Sequence, residues 1–182
     1  MATAFTYAQL KAALWAERGV RIHALIDGLV VPGLPQQLAA ADVVGWDCLQ
    51  RGALTAAAAS GAPYLVELNA AAPFTDWLLA EAALSYPGWG VLMASQQPLL
   101  AMREHCRALG DVITAEGARR AWRWYDPEVL QLLLPSLSPG QLDEWFGAGQ
   151  TLVVASASGW TWYALEQGVL ASTVRNLMPA AA

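Results

Sequence analysis

The stretch that most constrains the fold is Arg119 to Leu137, where a period-two pattern runs directly into a helix start. Arg120, Trp122 and Trp124 alternate with Ala121, Arg123 and Tyr125, which predicts a strand. Asp126 then supplies a carboxylate for the free amides of a first helical turn. Pro127 suits the first helical position and Glu128 favours the positive helix end. Pro135 cannot continue the hydrogen-bonded ladder, so it marks the helix stop.

Upstream, the same alternation of strand and helix recurs. Tyr7, Leu10 and Leu14 share one helical face and predict a helix over 6–17, ended near Gly19. Val20 to Asp27 alternates as a strand and breaks at Gly28 and the Pro32, Gly33 and Pro35 cluster. Residues 36–60 are alanine-rich and read as irregular or helical in pieces. Pro63 to Leu68 and Gly90 to Ser95 read as short apolar strands, with a helix over Pro73 to Tyr86 between them. Residues 98–109 place Leu99, Met102, Cys106 and Leu109 on one stripe, with Gly110 where a helix commonly ends.

After the 119–137 stretch, Ser138, Pro139 and Gln141 predict a capped helix ending near Phe146 and Gly147. Leu152 to Ala155 and Trp160 to Tyr163 predict a hairpin across Ser156, Ala157, Ser158 and Gly159. A final short helix is expected before the Pro179 to Ala182 tail. The expected fold is therefore α/β, a mixed sheet of about five strands flanked by helices, with a more helical C-terminal part. At 182 residues it reads as one domain, with a sheet-containing lobe over about 1–126 and a helical and hairpin lobe over about 127–182.

Composition narrows the function. The chain is 56% apolar, only 14% charged and carries nine tryptophans, so either the core is large or apolar surface meets a partner. A net charge of −5 argues against nucleic acid and anionic membranes, leaving a protein or a small molecule as partner. Cys48 and Cys106 are too few for a disulfide scaffold and lack metal-like spacing, so they read as buried free thiols. Lys11 and Glu17 interrupt the N-terminal segment, which lacks a cationic leader and points to a cytoplasmic protein. The uncharged windows Ala82 to Met102 and Trp145 to Leu165 contain glycines and polar residues and do not read as membrane helices.

No catalytic signature stands out. Ser60, Ser156 and Ser158 lack the nucleophile-elbow pattern, and Gly88-Trp89-Gly90 is not a dinucleotide fingerprint. His23 and His105 lack ligand spacing, and no metal or cofactor is expected. Asp126 reads as a helix cap and Asp27 as a turn residue. The alternative is a small hydrolase or transferase using Asp27 and Asp126 in a cleft, with His105 or Cys106 as helper. Half of the ten basic residues, Arg103, Arg107, Arg119, Arg120 and Arg123, fall within 21 positions. They either pair with Glu104, Glu116 or Glu128, or form a docking face for an acidic partner segment, beside tryptophans of the kind that binding hot spots use.

Five motifs in order carry a resemblance: Ala24 to Gly28, Ala62 to Leu68, Trp89 to Ser95, the Leu99 to Leu109 helix, and Arg123-Trp124-Tyr125-Asp126-Pro127 with its leucine-rich helix and Phe146-Gly147. Over about residues 20–150 the chain resembles the effector-adaptor, or effector-chaperone, family of bacterial type VI secretion, catalogued as domain of unknown function 4123. The resemblance implies a cytoplasmic, non-enzymatic protein that binds a cognate toxic effector and helps load it onto the VgrG spike. Effector binding is expected at a groove bordered by Arg123, Trp124, Tyr125 and Asp126, with Arg103 and Arg107 at its rim.

Overall fold

A computed structural model describes residues 5–147, 150–157 and 159–176, apart from the side chain of Arg119. Ser158 and the Pro179 to Ala182 tail lie outside the described residues. The centre is a seven-stranded sheet in the order β2-β3-β1-β4-β7-β8-β9. Its strands are β1 (Arg21–Asp27), β2 (Gly45–Cys48), β3 (Pro63–Glu67), β4 (Gly90–Ser95), β7 (Thr151–Ser156), β8 (Gly159–Glu166) and β9 (Val169–Asn176). A small hairpin, β5 (Asp111–Ile113) with β6 (Arg119–Ala121), stands apart from it.

Helices cover both faces. On one lie α1 (Tyr7–Leu14), α2 (Leu34–Ala40) and the run α4 (Pro73–Trp77), a π-helical turn (Leu78–Ala82) and α5 (Ala83–Ser85); α3 (Ala56–Ser60) precedes β3. Leu10, Leu34, Leu38, Leu78 and Leu79 pack there on Ile22, Ile26 and Val66. On the other lie α6 (Leu99–Gly110), α7 (Pro127–Leu133) and α8 (Pro139–Phe146), whose Met102, Leu130 and Phe146 pack on Leu25, Leu65 and Met93. Burial on both sides explains why β1, β3 and β4 are nearly continuous apolar runs, with every residue of β1 after Arg21 buried.

Local signals set the boundaries. Thr6 and Gln9 form a capping box at α1, and Ser138 and Gln141 form another at α8. Asp126 caps α7 and Pro135 falls in the 3₁₀ turn that ends it. Gly90 has φ 146°, and a Cβ there would lie 1.8 Å from the Leu25 carbonyl oxygen, so no other residue lets β4 approach β1 so closely.

Five expectations need correction. The sheet has seven strands, not about five, and every pairing in it is antiparallel, not mixed. The C-terminal part is strand-rich, not helical, because Gln167 and Gly168 both adopt positive φ and form a two-residue hairpin turn. That turn sends Val169 to Asn176 back along β8, where a final helix was expected. The strand before Asp126 stops at Ala121, and Trp122 to Tyr125 leave it to meet α6. Because β7 continues the sheet from β4, the segment after 126 shares the sheet of the segment before it.

His23, in the middle of β1, is wholly buried. Neither ring nitrogen has a hydrogen-bond partner, and the nearest carboxylate oxygen, on Glu67, lies 3.8 Å away. Burial lowers its pKa from 6.5 to about 4, with Arg21 adding to the effect and Glu67 opposing it. Between those values the unfolded chain binds the extra proton, so stability falls as pH drops through this window. We expect a loss of about 2 kcal/mol between pH ~7 and pH ~5 from this group. His23→Leu should remove that part of the slope, read from urea midpoints at the two pH values.

Candidate functional site

At the end of the sheet where β1 finishes and β3 begins, an open groove of about 560 Å³ separates the strand ends from the C-terminal end of α6. Its walls come from five places in the chain. Leu29 follows β1, Leu49 to Arg51 follow β2, Pro63 opens β3, Cys106 and Arg107 lie on α6, and Trp122 to Tyr125 lead into α7. The sequence pattern brings these together because each segment is a strand end or a helix end, and the antiparallel register puts those ends side by side.

Beside the groove, Arg123 meets the carboxylate of Asp27. Asp27 is fully buried at the end of β1, and its Oδ1 accepts the Leu29 amide at 2.8 Å. Arg123 Nε sits 2.6 Å from Oδ2, an ion pair without the alignment of a directed hydrogen bond. The arginine side chain is 44% exposed and also lies 3.8 Å from Asp126 Oδ2. Tyr125 is buried beside the pair, and its phenol pKa is raised, first by burial and then by the Asp27 charge. Gly28 lets this turn form, since a Cβ there would fall 2.5 Å from the Ala62 carbonyl oxygen.

The two tryptophans that flank Arg123 anchor it to α6. Trp122 Nε1 donates to the Leu109 carbonyl at 2.8 Å, a carbonyl in the last helical turn with no intrahelical partner. Trp124 Nε1 donates to the Cys106 carbonyl at 3.2 Å. Trp145 from α8 meets both rings edge to face, at centroid separations of 6.2 and 5.4 Å. Trp124 is 0% exposed, so it forms the base of the groove and offers no exposed surface at the rim.

Of the six residues expected around the groove, Arg107, Arg123, Trp124 and Tyr125 line it. Asp126 lies beside Arg123 and spends its carboxylate on the Glu128 amide at 3.0 Å, as a helix cap does. Arg103 is bonded to Asp47 and pairs with Glu104 at 3.0 Å, which ties α6 to β2. Arg107 is similarly engaged, donating to the Leu49 and Cys48 carbonyls, both at 2.9 Å, and pairing with Glu104 at 3.0 Å. Three arginines of the basic cluster, Arg103, Arg107 and Arg123, are thus tied to groups of their own chain.

Sequence reasoning missed Leu29 and Arg51. Leu29 is 72% exposed at the groove, and Arg51 is an exposed cation there. Their one sequence signal is position, just after a strand that ends in Asp-Gly and just after Cys48. The two candidate helpers of the hydrolase alternative lie in different places. Cys106 faces the groove with its thiol pKa pushed up by complete burial. His105 lines a separate cavity of about 240 Å³ and donates from Nε2 to the Trp145 carbonyl at 3.0 Å. Among the described residues, no group of three or more His, Cys, Asp and Glu side chains is placed to hold a metal ion, and no helix is long and apolar enough to cross a membrane.

A family model described as "Domain of unknown function (DUF4123)" matches residues 22–144, a segment that contains every groove residue named above. No curated protein and no solved structure matches the chain.

The ion pair makes an asymmetric prediction. Arg123→Ala leaves a buried carboxylate without its counter-charge and should cost about 3 kcal/mol. Asp27→Asn keeps an acceptor for the Leu29 amide and leaves an arginine that water can reach, so its cost should be nearer ~1 kcal/mol. Urea unfolding of both variants, with the order reversed, would contradict this description of the joint.

Proposed function

Given that this chain belongs to the DUF4123 family, we propose that it is a cytoplasmic, non-catalytic adaptor that binds a cognate type VI secretion effector and helps load it onto the VgrG spike. The family membership is the premise. The secretion role comes from the resemblance of its five motifs, and the groove supports it as a place for a segment of another polypeptide. The observation that carries the reading is the open, largely apolar groove with an exposed leucine and an exposed arginine at its mouth.

Such a mouth suits protein recognition for physical reasons. An apolar floor supplies area that gains from losing water, and an arginine at the rim orients an acidic or carbonyl-rich segment. Leu29 is held by its backbone to Asp27, and its side chain closes over Gly61, so it is presented without being part of the core. Arg123 and Trp124 act through the shape of the groove.

The test is co-expression with the secreted protein encoded beside this one, followed by co-purification. The wild-type chain should retain the effector. Leu29→Asp combined with Arg51→Glu should weaken retention by about tenfold or more, with an unchanged circular-dichroism melt. Retention that survives both changes moves the site elsewhere, and a wild-type chain that captures no effector refutes the adaptor reading.

A further inference from the structure

The polar groups that face the groove are unevenly spent, its acceptors more than its donors. Three arginines, Arg51, Arg107 and Arg123, and one acid, Asp111, line it, on a chain whose net charge is −5. Main-chain acceptors along the walls already hold a hydrogen bond. Arg107 donates to the Leu49 carbonyl at 2.9 Å and to the Gln50 carbonyl at 3.5 Å, and the Leu49 amide donates to the Pro63 carbonyl at 2.9 Å. Across the groove, the Cys106 carbonyl accepts the Trp124 indole and the Gly110 carbonyl accepts the Trp122 amide at 3.2 Å.

The donors keep capacity. Arg51 is exposed, and among the described residues no ion pair joins it to an acid. Arg123 turns its Nε to the buried Asp27 carboxylate, which fixes the orientation of the guanidinium. Its Nη2 lies 3.8 Å from Asp126 Oδ2, beyond hydrogen-bond reach, so the outer edge of this half-exposed group retains N–H groups for another acceptor. Tyr125 adds no negative charge there, because burial and then the Asp27 charge keep its phenol protonated.

We infer that the occupant of the groove is an acidic segment of another polypeptide, with an aspartate or glutamate side chain met by Arg51 and the outer edge of Arg123 and an apolar neighbour covering Leu29. The inference rests on the adaptor reading for the polypeptide nature of the occupant and adds its chemistry. A carboxylate suits these walls on two counts. It accepts without having to donate, and it supplies the counter-charge that Arg51 lacks. An amide of the same shape does neither, since its NH2 group would meet carbonyls that already have donors. The apolar neighbour follows from Leu29, which stands exposed at the groove, and from Trp122 beside Arg123, both of which gain from being covered.

Two blocked hexapeptides, alternating leucine with glutamate or leucine with glutamine and carrying no terminal carboxylate, test this on the full chain by tryptophan fluorescence. The glutamate peptide should bind at least about tenfold more tightly than the glutamine peptide, and the preference should shrink as salt rises. Arg51→Gln should bring the two affinities within about threefold of each other, with an unchanged circular-dichroism melt. Equal affinity of the wild-type chain for both peptides overturns the inference. So does the absence of glutamate-peptide binding up to ~1 mM, or a tenfold preference that survives Arg51→Gln. Free glutarate that displaces the peptide at equal concentration overturns it as well, by making the occupant a small acid. Capture of the secreted protein is scored separately. Capture without an acidic preference removes this inference alone, and an acidic preference without capture removes the adaptor role alone.

Discussion

The arrangement of the molecule depends on one buried carboxylate. Asp27 ends the central strand inside the protein, where an ionised group without a partner would be expensive. Arg123 provides the opposite charge from a segment that must therefore lie across the strand end. That requirement pulls Trp122 to Tyr125 out of the β6 hairpin and onto α6, and it fixes where α7 begins. A half-exposed guanidinium facing a buried carboxylate is a workable compromise. Water solvates the arginine's outer face, while the carboxylate gains an amide and a cation in place of the water it lost.

The groove is a consequence of how that joint is braced. Two indole N–H groups tie the arginine segment to α6, and Arg103 and Arg107 tie α6 to β2 and the loop after it. Strand ends and helix end are thus held apart by polar fastenings and do not collapse onto each other. The gap keeps an apolar floor of buried aromatic rings, and its mouth carries side chains with no such duties. Arginines in a low-charge protein are easily read as a docking face. Here Arg103, Arg107 and Arg123 are committed to carbonyls and carboxylates of their own chain, and Arg51, a further exposed cation at the groove, is outside the cluster.

What the sequence reveals follows the range of each signal. Helix caps at Asp126 and Ser138, the apolar runs of β1, β3 and β4, and the α6 stripe are local patterns, and they appear where the residues place them. β2 is four residues, Gly-Trp-Asp-Cys, too short to alternate visibly within alanine-rich surroundings. β9 was hidden because a Gln-Gly turn is a weaker hairpin signal than Asn-Gly. The Asp27 and Arg123 partnership has no local signal at all. Both residues stand out separately, one before a glycine and the other between tryptophans, but only the packing of α6 on the sheet makes them neighbours.

The extent of the family match raises a last structural point. It ends at residue 144, before β7, yet β7 pairs with β4, and Val153 and Trp160 lie in the core with Ile22 and Trp89. Without β7 and β8 the apolar strand β4 would become an open edge and both helical layers would lose part of their floor. The matched segment therefore leaves out strands that complete its own sheet and core. The C-terminal strands are needed to close β4, and each strand added there leaves a new outer edge. β7 is covered by β8, and β8 by β9. At β9 the sheet ends among the described residues, and its outer side meets the Phe5 amide at the Asn176 carbonyl.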